Sequence, residues 1–136
     1  MDRNLQILGL ARKAGLLAVG AQDTKIAINA GKAQLILSAR DTSAGALRRA
    51  RRMAQTGQVI HLEVPYTAFE LGQVSGRGSP GTLSFLDTGL AARFVGGLSA
   101  ADPELYQDAA ESLSQKSLAQ AEKKKTTVSV KRRTVL

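Results

Sequence analysis

The run AQLILSA at residues 33–39 is apolar at almost every position, the pattern of a central strand covered on both faces. A strand of that kind needs helices above and below it, and the flanking sequence alternates helical and extended patterns across short Gly-marked joints. Leu5, Leu8 and Ala11 recur at helical spacing and Gly15 stands where a left-handed residue would stop the helix, which predicts a helix over 2–14. Leu16–Val19 follows as a short segment, and AQDTKIAINAG predicts a second helix with polar residues in its first turn and Gly31 at its end. Residues 43–56 return to helix, with Leu47, Ala50, Met53 and Ala54 on one arc and Arg48, Arg49, Arg51 and Arg52 on the opposite one. QVIHLEV at 58–64, closed by Pro65, reads as a strand, and Tyr66–Val74 as a short helix. TLSFLD at 82–87 places Leu83 and Phe85 on one side of a strand, and a helix over 88–98 is expected to end near Gly96 and Gly97. The fold class is therefore α/β, a sheet covered by helices.

A chain of 136 residues has room for one modest core, and its charge divides it further. Residues 1–98 carry +6, residues 99–122 carry −4, and residues 123–136 carry +6. Asp102 and Pro103 have the character of a cap and a first turn, opening a helix of about 103–122 that carries Leu105, Ala109 and Leu113. The last segment, KKKTTVSVKRRTVL, has no periodicity and is expected to be disordered without a partner. The expected division is an α/β domain over 1–98, a C-terminal helix over 99–122 and a basic tail over 123–136.

Composition narrows the chemistry. Cysteine is absent and His61 is the single histidine, which removes disulfides, thiolate nucleophiles and zinc constellations together. On its strand His61 is expected to be structural, and no paired acid and base stands in view, so neither catalysis nor a cofactor is expected. No apolar run approaches the ~20 residues that cross a bilayer. The opening MDRNLQILGLARK lacks the features of a signal or transit peptide, so a cytoplasmic protein without membrane contact is expected. Nineteen Lys and Arg against eleven Asp and Glu give a net charge of +8 and a pI near 10.3, a balance that points to polyanions and to nucleic acid first.

Two segments carry the candidate contacts. Gly20, Gln22, Asp23 and Lys25 lie at the start of the second helix, where unpaired N–H groups and the positive dipole end can take a phosphate oxygen. Gln22 and Asp23 can also reach base edges, since an amide both donates and accepts and a carboxylate accepts from guanine N–H groups. The plainer alternative is that Asp23 only complements the helix dipole. GRGSPG at 76–81 matches the spacing of a dinucleotide fingerprint, yet it precedes a strand and carries Pro80, where the fingerprint must follow a strand and open a helix. A Gly-rich loop with Arg77, Gly78 and Ser79 suits close approach to a nucleic-acid backbone, or is simply a surface loop. The four arginines of 48–52 are either a solvated face or phosphate contacts suited to the planar guanidinium fork.

GAQDTKIAINAGKAQLILSARD, preceded by LGLARKAGLLAVG and followed by VPYTAFELGQVSGRG, resembles the kink-turn-binding ribosomal proteins of the archaeal L-seven-a-e and eukaryotic L-thirty type. Within that family it is most similar to the small bacterial YlxQ-like proteins, and the likeness spans residues 4 to about 98. The resemblance implies a three-layer α/β/α sandwich around a four-stranded mixed sheet. It also implies structured RNA as ligand: the start of the second helix against the guanines of sheared G·A pairs, and a loop near the fourth strand over a flipped-out base. Gly20 matches the family pattern, Gln22 occupies its amide position and Asp23 its acidic one. Ile26 stands where the family has lysine, and Lys25 beside it points about 100° away on a helix.

The expected function is a non-catalytic, ribosome-associated RNA-binding protein acting as a monomer. Lys32, Arg77, Gly78 and Ser79 would support the contacts of the second helix, with Lys13 and Arg40 as further phosphate ligands. Two other readings remain open. One is an accessory domain for RNA modification. The other is a protein-binding adaptor that lays the acidic 103–122 helix into a partner's groove.

Overall fold

The computed structural model describes the backbone of residues 2–135 and the side chains of residues 2–123. The chain alternates α1 (Arg3–Lys13), β1 (Leu17–Val19), α2 (Ala21–Asn29), β2 (Leu35–Ser38), α3 (Ala44–Gly57), β3 (Ile60–Glu63), α4 (Ala68–Ser75), β4 (Thr82–Phe85), α5 (Thr88–Ala101) and α6 (Pro103–Val135). The four strands form one mixed sheet in the order β1-β4-β2-β3, with β4 antiparallel to both its neighbours and β2 parallel to β3. The expected α/β/α sandwich is therefore the fold observed.

Alternation along the strands makes the three layers. Leu17, Val19, Leu35, Leu37, Leu83 and Phe85 pack with α1, α4 and α5, whereas Ala18 and Ile36 point to the other side, against Ala27 and Ile28 of α2 and Ala50 and Ala54 of α3. β2 is buried at every position, as its apolar run requires. Phe85 and Phe94 are fully buried with ring centroids 5.4 Å apart, a tilted pairing that adds about 1 kcal/mol to their burial. The helix starts on this side are closed by short polar side chains. Asp2 caps α1, Thr67 and Glu70 form a capping box on α4, and Asp87 caps α5.

The helix expected to stop near Gly96 and Gly97 instead continues to Ala101. Gly97 is an approach point, not a terminus: a Cβ there would overlap the Asn4 side chain of α1. α6 then folds back along α5, and its Tyr106 and Leu113 are buried in the same cluster as Phe94 and Leu98. Tyr106 donates its hydroxyl to the Glu63 carbonyl at 2.8 Å. α6 runs to Val135, beyond the end expected near 122, so the backbone of the segment expected to be a disordered tail continues the helix, while its side chains after Lys123 lie outside those described.

His61 is structural, as its strand position suggested. It shares a 2.8 Å hydrogen bond with Ser38, and burial together with the nearby Arg51 charge lowers its pKa against a smaller opposing pull from Glu63. The unfolded chain therefore takes up the proton first, so the stability held by a neutral His61 is complete above the ordinary value of 6.5 and is lost as pH falls through it. The urea midpoint should fall between about pH 7.5 and about pH 5.5 by more in the wild type than in His61→Gln, and parallel profiles would show that His61 is not the group responsible.

Candidate nucleic-acid interface

Gly20 sits between β1 and α2 with φ +95°, a backbone angle that favours glycine. Its N–H donates to the Thr82 carbonyl at 2.9 Å, which ties the start of α2 to the start of β4. No side chain caps α2, in contrast to α1, α3, α4 and α5, so its first N–H groups remain open to an external acceptor.

The loop before β4 is placed by close contacts. Gly76 ends α4 in a left-handed conformation, and Arg12 of α1 donates Nε to the Ser75 carbonyl at 3.1 Å. Gly72, inside α4, is where the loop rests: a Cβ there would overlap the Gly78 carbonyl oxygen and stand 2.7 Å from its carbon. On the far side Gly81 lies against the Thr42 side chain, and its carbonyl accepts the Ala39 N–H at 2.9 Å. The loop held in this way brings Arg77 to Asp23, with Nη1 3.0 Å from Oδ2. Both side chains are about half exposed, at 56% and 44%, so the pair contributes little stability, under about 1 kcal/mol. What it sets is geometry: the carboxylate of the first turn of α2 and the guanidinium of a loop 54 positions away form one polar, accessible unit.

The residues picked out in the sequence fall into separate places around this unit. Gln22 and Lys25 line a cleft of about 480 Å³ between α2 and α3, while Asp23 and Ile26 line a recess of about 270 Å³ on the opposite side of α2. Lys32 closes that recess, with Leu17, Ala27 and Leu86 as its apolar wall. Ile26 is 59% exposed there, so the position that carries lysine in the resembled family presents an aliphatic side chain to solvent. Gly78 and Ser79 are exposed on the loop beside Arg77. Lys13 lies along a groove between α1 and α4 that ends at Gly76, at the margin of the loop. Arg40 is not brought to α2: it lines a cleft with Asp2, Tyr66, Glu70 and Asp102, an acidic setting for a phosphate contact. In that cleft Tyr66 donates to Asp2 at 2.9 Å, and burial with this hydrogen bond pushes its pKa up to about 12. Asp41, which follows β2, accepts the Ala68 N–H at 2.9 Å and helps start α4.

The sequence pattern left the arginines of α3 undecided. The structure sets Arg49 and Arg52 into the α2–α3 cleft, Arg51 against Glu63 of β3, and Arg48 in solvent. Their spacing carried part of this signal, since positions 49 and 52 share one helix face and 51 lies off it. The neighbouring helix supplied the rest.

No protein-family model and no curated protein matches this chain by sequence. Solved structures do resemble it. A protein of unknown function from Bacillus halodurans superposes with a TM-score of 0.65 at 19% identity, covering 73% of this chain and 99% of its own. A 15.5 kD RNA-binding protein of Giardia lamblia superposes with a TM-score of 0.55, also at 19% identity, covering 71% of this chain and 84% of its own. At this identity the likeness is one of fold. Among the described residues no helix is long and apolar enough to cross a membrane, and no group of His, Cys, Asp and Glu side chains is placed to hold a metal ion.

Gly72→Ala separates helix propensity from loop seating. Propensity alone would make the alanine variant more stable by about 1 kcal/mol. Overlap with the Gly78 carbonyl should instead destabilise the protein by about 1–3 kcal/mol and push the loop off α4. A urea midpoint equal to or above that of the wild type would show that Gly72 does not seat the loop.

Proposed function

We propose that this chain is a non-catalytic, cytoplasmic, ribosome-associated RNA-binding protein that reads a kink-turn-like element in structured RNA with the start of α2 and the 76–81 loop. The observation that carries the reading is the 3.0 Å contact between Arg77 and Asp23, which joins the two segments whose residue types suit RNA contact. A protein of the same fold bears the name of an RNA-binding protein, and the motif resemblance in residues 4–98 points the same way.

The chemistry follows from which atoms remain available. Arg77 occupies Oδ2 of Asp23, leaving Oδ1 to accept from a guanine N–H, while the other guanidinium donors can meet a phosphate. Gln22, exposed in the same turn, offers an amide that donates to guanine O6 or N7. The open N–H groups of Ala21, Gln22 and Asp23 add a site for a phosphate oxygen at the positive end of the helix. Loop 76–81, with Gly78 and Ser79 exposed, lies where an unstacked nucleotide can settle against backbone, and irregular RNA is recognised largely through such splayed elements. Lys32 and Lys13, at the two margins, supply longer-range attraction.

The test is a titration of the full chain at near-physiological salt. It compares a kink-turn RNA with the same RNA after its G·A pairs are replaced by Watson–Crick pairs. The kink-turn should bind at least tenfold more tightly, about 1.4 kcal/mol, and Asp23→Ala should remove that preference. Ile26→Lys, which restores the family's cation beside Asp23, should strengthen kink-turn binding by about 1–3 kcal/mol. Equal binding of the two RNAs by the wild type refutes kink-turn recognition, and no binding to either refutes the RNA reading. Co-sedimentation with ribosomal subunits at the same salt tests the association with the ribosome.

A further inference from the structure

The cleft between α2 and α3 brings cations from two helices to one concave surface. Lys25 stands on one wall and Arg49 and Arg52 on the other, around an apolar floor of Ile28 and Met53, within a volume of about 480 Å³. No carboxylate lines it, and among the described residues these three cations make no hydrogen bond or ion pair, whereas Arg51 and Arg77 each have an acidic partner. Three unbalanced positive charges around one concave surface raise the local concentration of anions.

Continuity with the start of α2 indicates which anion. Ala21 and Gln22 belong to the uncapped first turn and also line the cleft, so the cleft meets the candidate interface at the start of α2. From Gln22 to Asn29 the cleft follows α2 for about 10 Å, room for a short stretch of one strand. Arg49 and Arg52 are one helical turn apart on the facing wall, which spaces two guanidinium groups along that path. The Ile28 and Met53 floor can take the face of a ribose or a base, and methionine adapts its shape to what it meets.

We infer that the α2–α3 cleft is a second RNA-contacting surface, on which the strand leaving the start of α2 is held through its phosphates by Lys25, Arg49 and Arg52. The inference rests on the RNA-binding reading above and adds a contact that does not depend on base identity. The guanine-reading unit of Asp23 and Arg77 sets specificity, and the cleft sets affinity and its dependence on salt.

Salt dependence distinguishes the two surfaces. The kink-turn RNA and its Watson–Crick counterpart are titrated across a salt series with the wild type, with Arg49→Gln/Arg52→Gln, and with Arg3→Gln/Arg93→Gln. The last variant removes the same charge from exposed positions on α1 and α5. Urea midpoints confirm that all three proteins are folded. The cleft variant should flatten the plot of log K against log salt by about 0.7–0.9 for each arginine lost and weaken both RNAs alike, keeping their ratio. The charge-matched variant should keep the wild-type slope. If wild type binds both RNAs equally while the cleft variant still flattens the slope, kink-turn reading fails and the cleft assignment stands. An unchanged slope in the cleft variant overturns the inference, as does equal flattening in the Arg3 and Arg93 variant. RNA binding left intact with loss of a concentration-dependent self-association in sedimentation would assign the cleft to a second copy of the chain, and also overturns it.

Discussion

Strand β4 is held between β1 and β2 in the antiparallel sense, and its first residues are gripped from both sides. The Gly20 N–H binds the Thr82 carbonyl, and the Ala39 N–H binds the Gly81 carbonyl, each at 2.9 Å. These two hydrogen bonds draw together the ends of β1 and β2, the start of α2 and the loop that precedes β4. The sheet needs that strand in its middle, because β1 pairs with β4 alone and reaches the rest of the sheet through it. Stability of the core and placement of the candidate RNA contacts therefore depend on the same local geometry.

Three glycines make the arrangement sterically possible, each by lacking a side chain at a different surface. Gly72 lets the Gly78 carbonyl approach α4, Gly81 lets the strand start pass Thr42, and Gly97 lets α5 approach Asn4 of α1. Close approach of this kind stiffens a loop that would otherwise be a flexible link with three glycines of its own.

Charge is divided by its surroundings. Arg51 and Glu63 are an exposed surface pair across α3 and β3, and Arg77 and Asp23 orient one another at the edge of the sheet. Among the described residues Lys25, Arg49 and Arg52 have no counter-ion along the α2–α3 cleft. A net charge of +8 states only that anions are attracted, whereas this distribution separates an acid–base pair at the start of α2 from a cleft lined by cations without a carboxylate.

By itself the sequence determined the layered α/β fold. AQLILSA could be satisfied only between two helical layers, the period of Leu5, Leu8 and Ala11 marked α1, and the apolar arc of α3 marked its buried side. It also singled out the first turn of α2 and the 76–81 loop, through residue types that suit RNA. Local pattern ran out where a side chain's surroundings come from distant chain. Gly96 and Gly97 resemble a helix stop until α1 packs against α5, and Arg40, picked out by residue type, lines a cleft with Asp2, Glu70 and Asp102 away from α2. Only the tertiary structure decided that Arg77 meets Asp23, that Lys25 turns toward Arg49 and Arg52, and that Ile26 faces the other way with Lys32. Periodicity orders residues along one element, but which face meets a cation, an anion or water is set by how β4 and its loop are seated among elements far away in the chain.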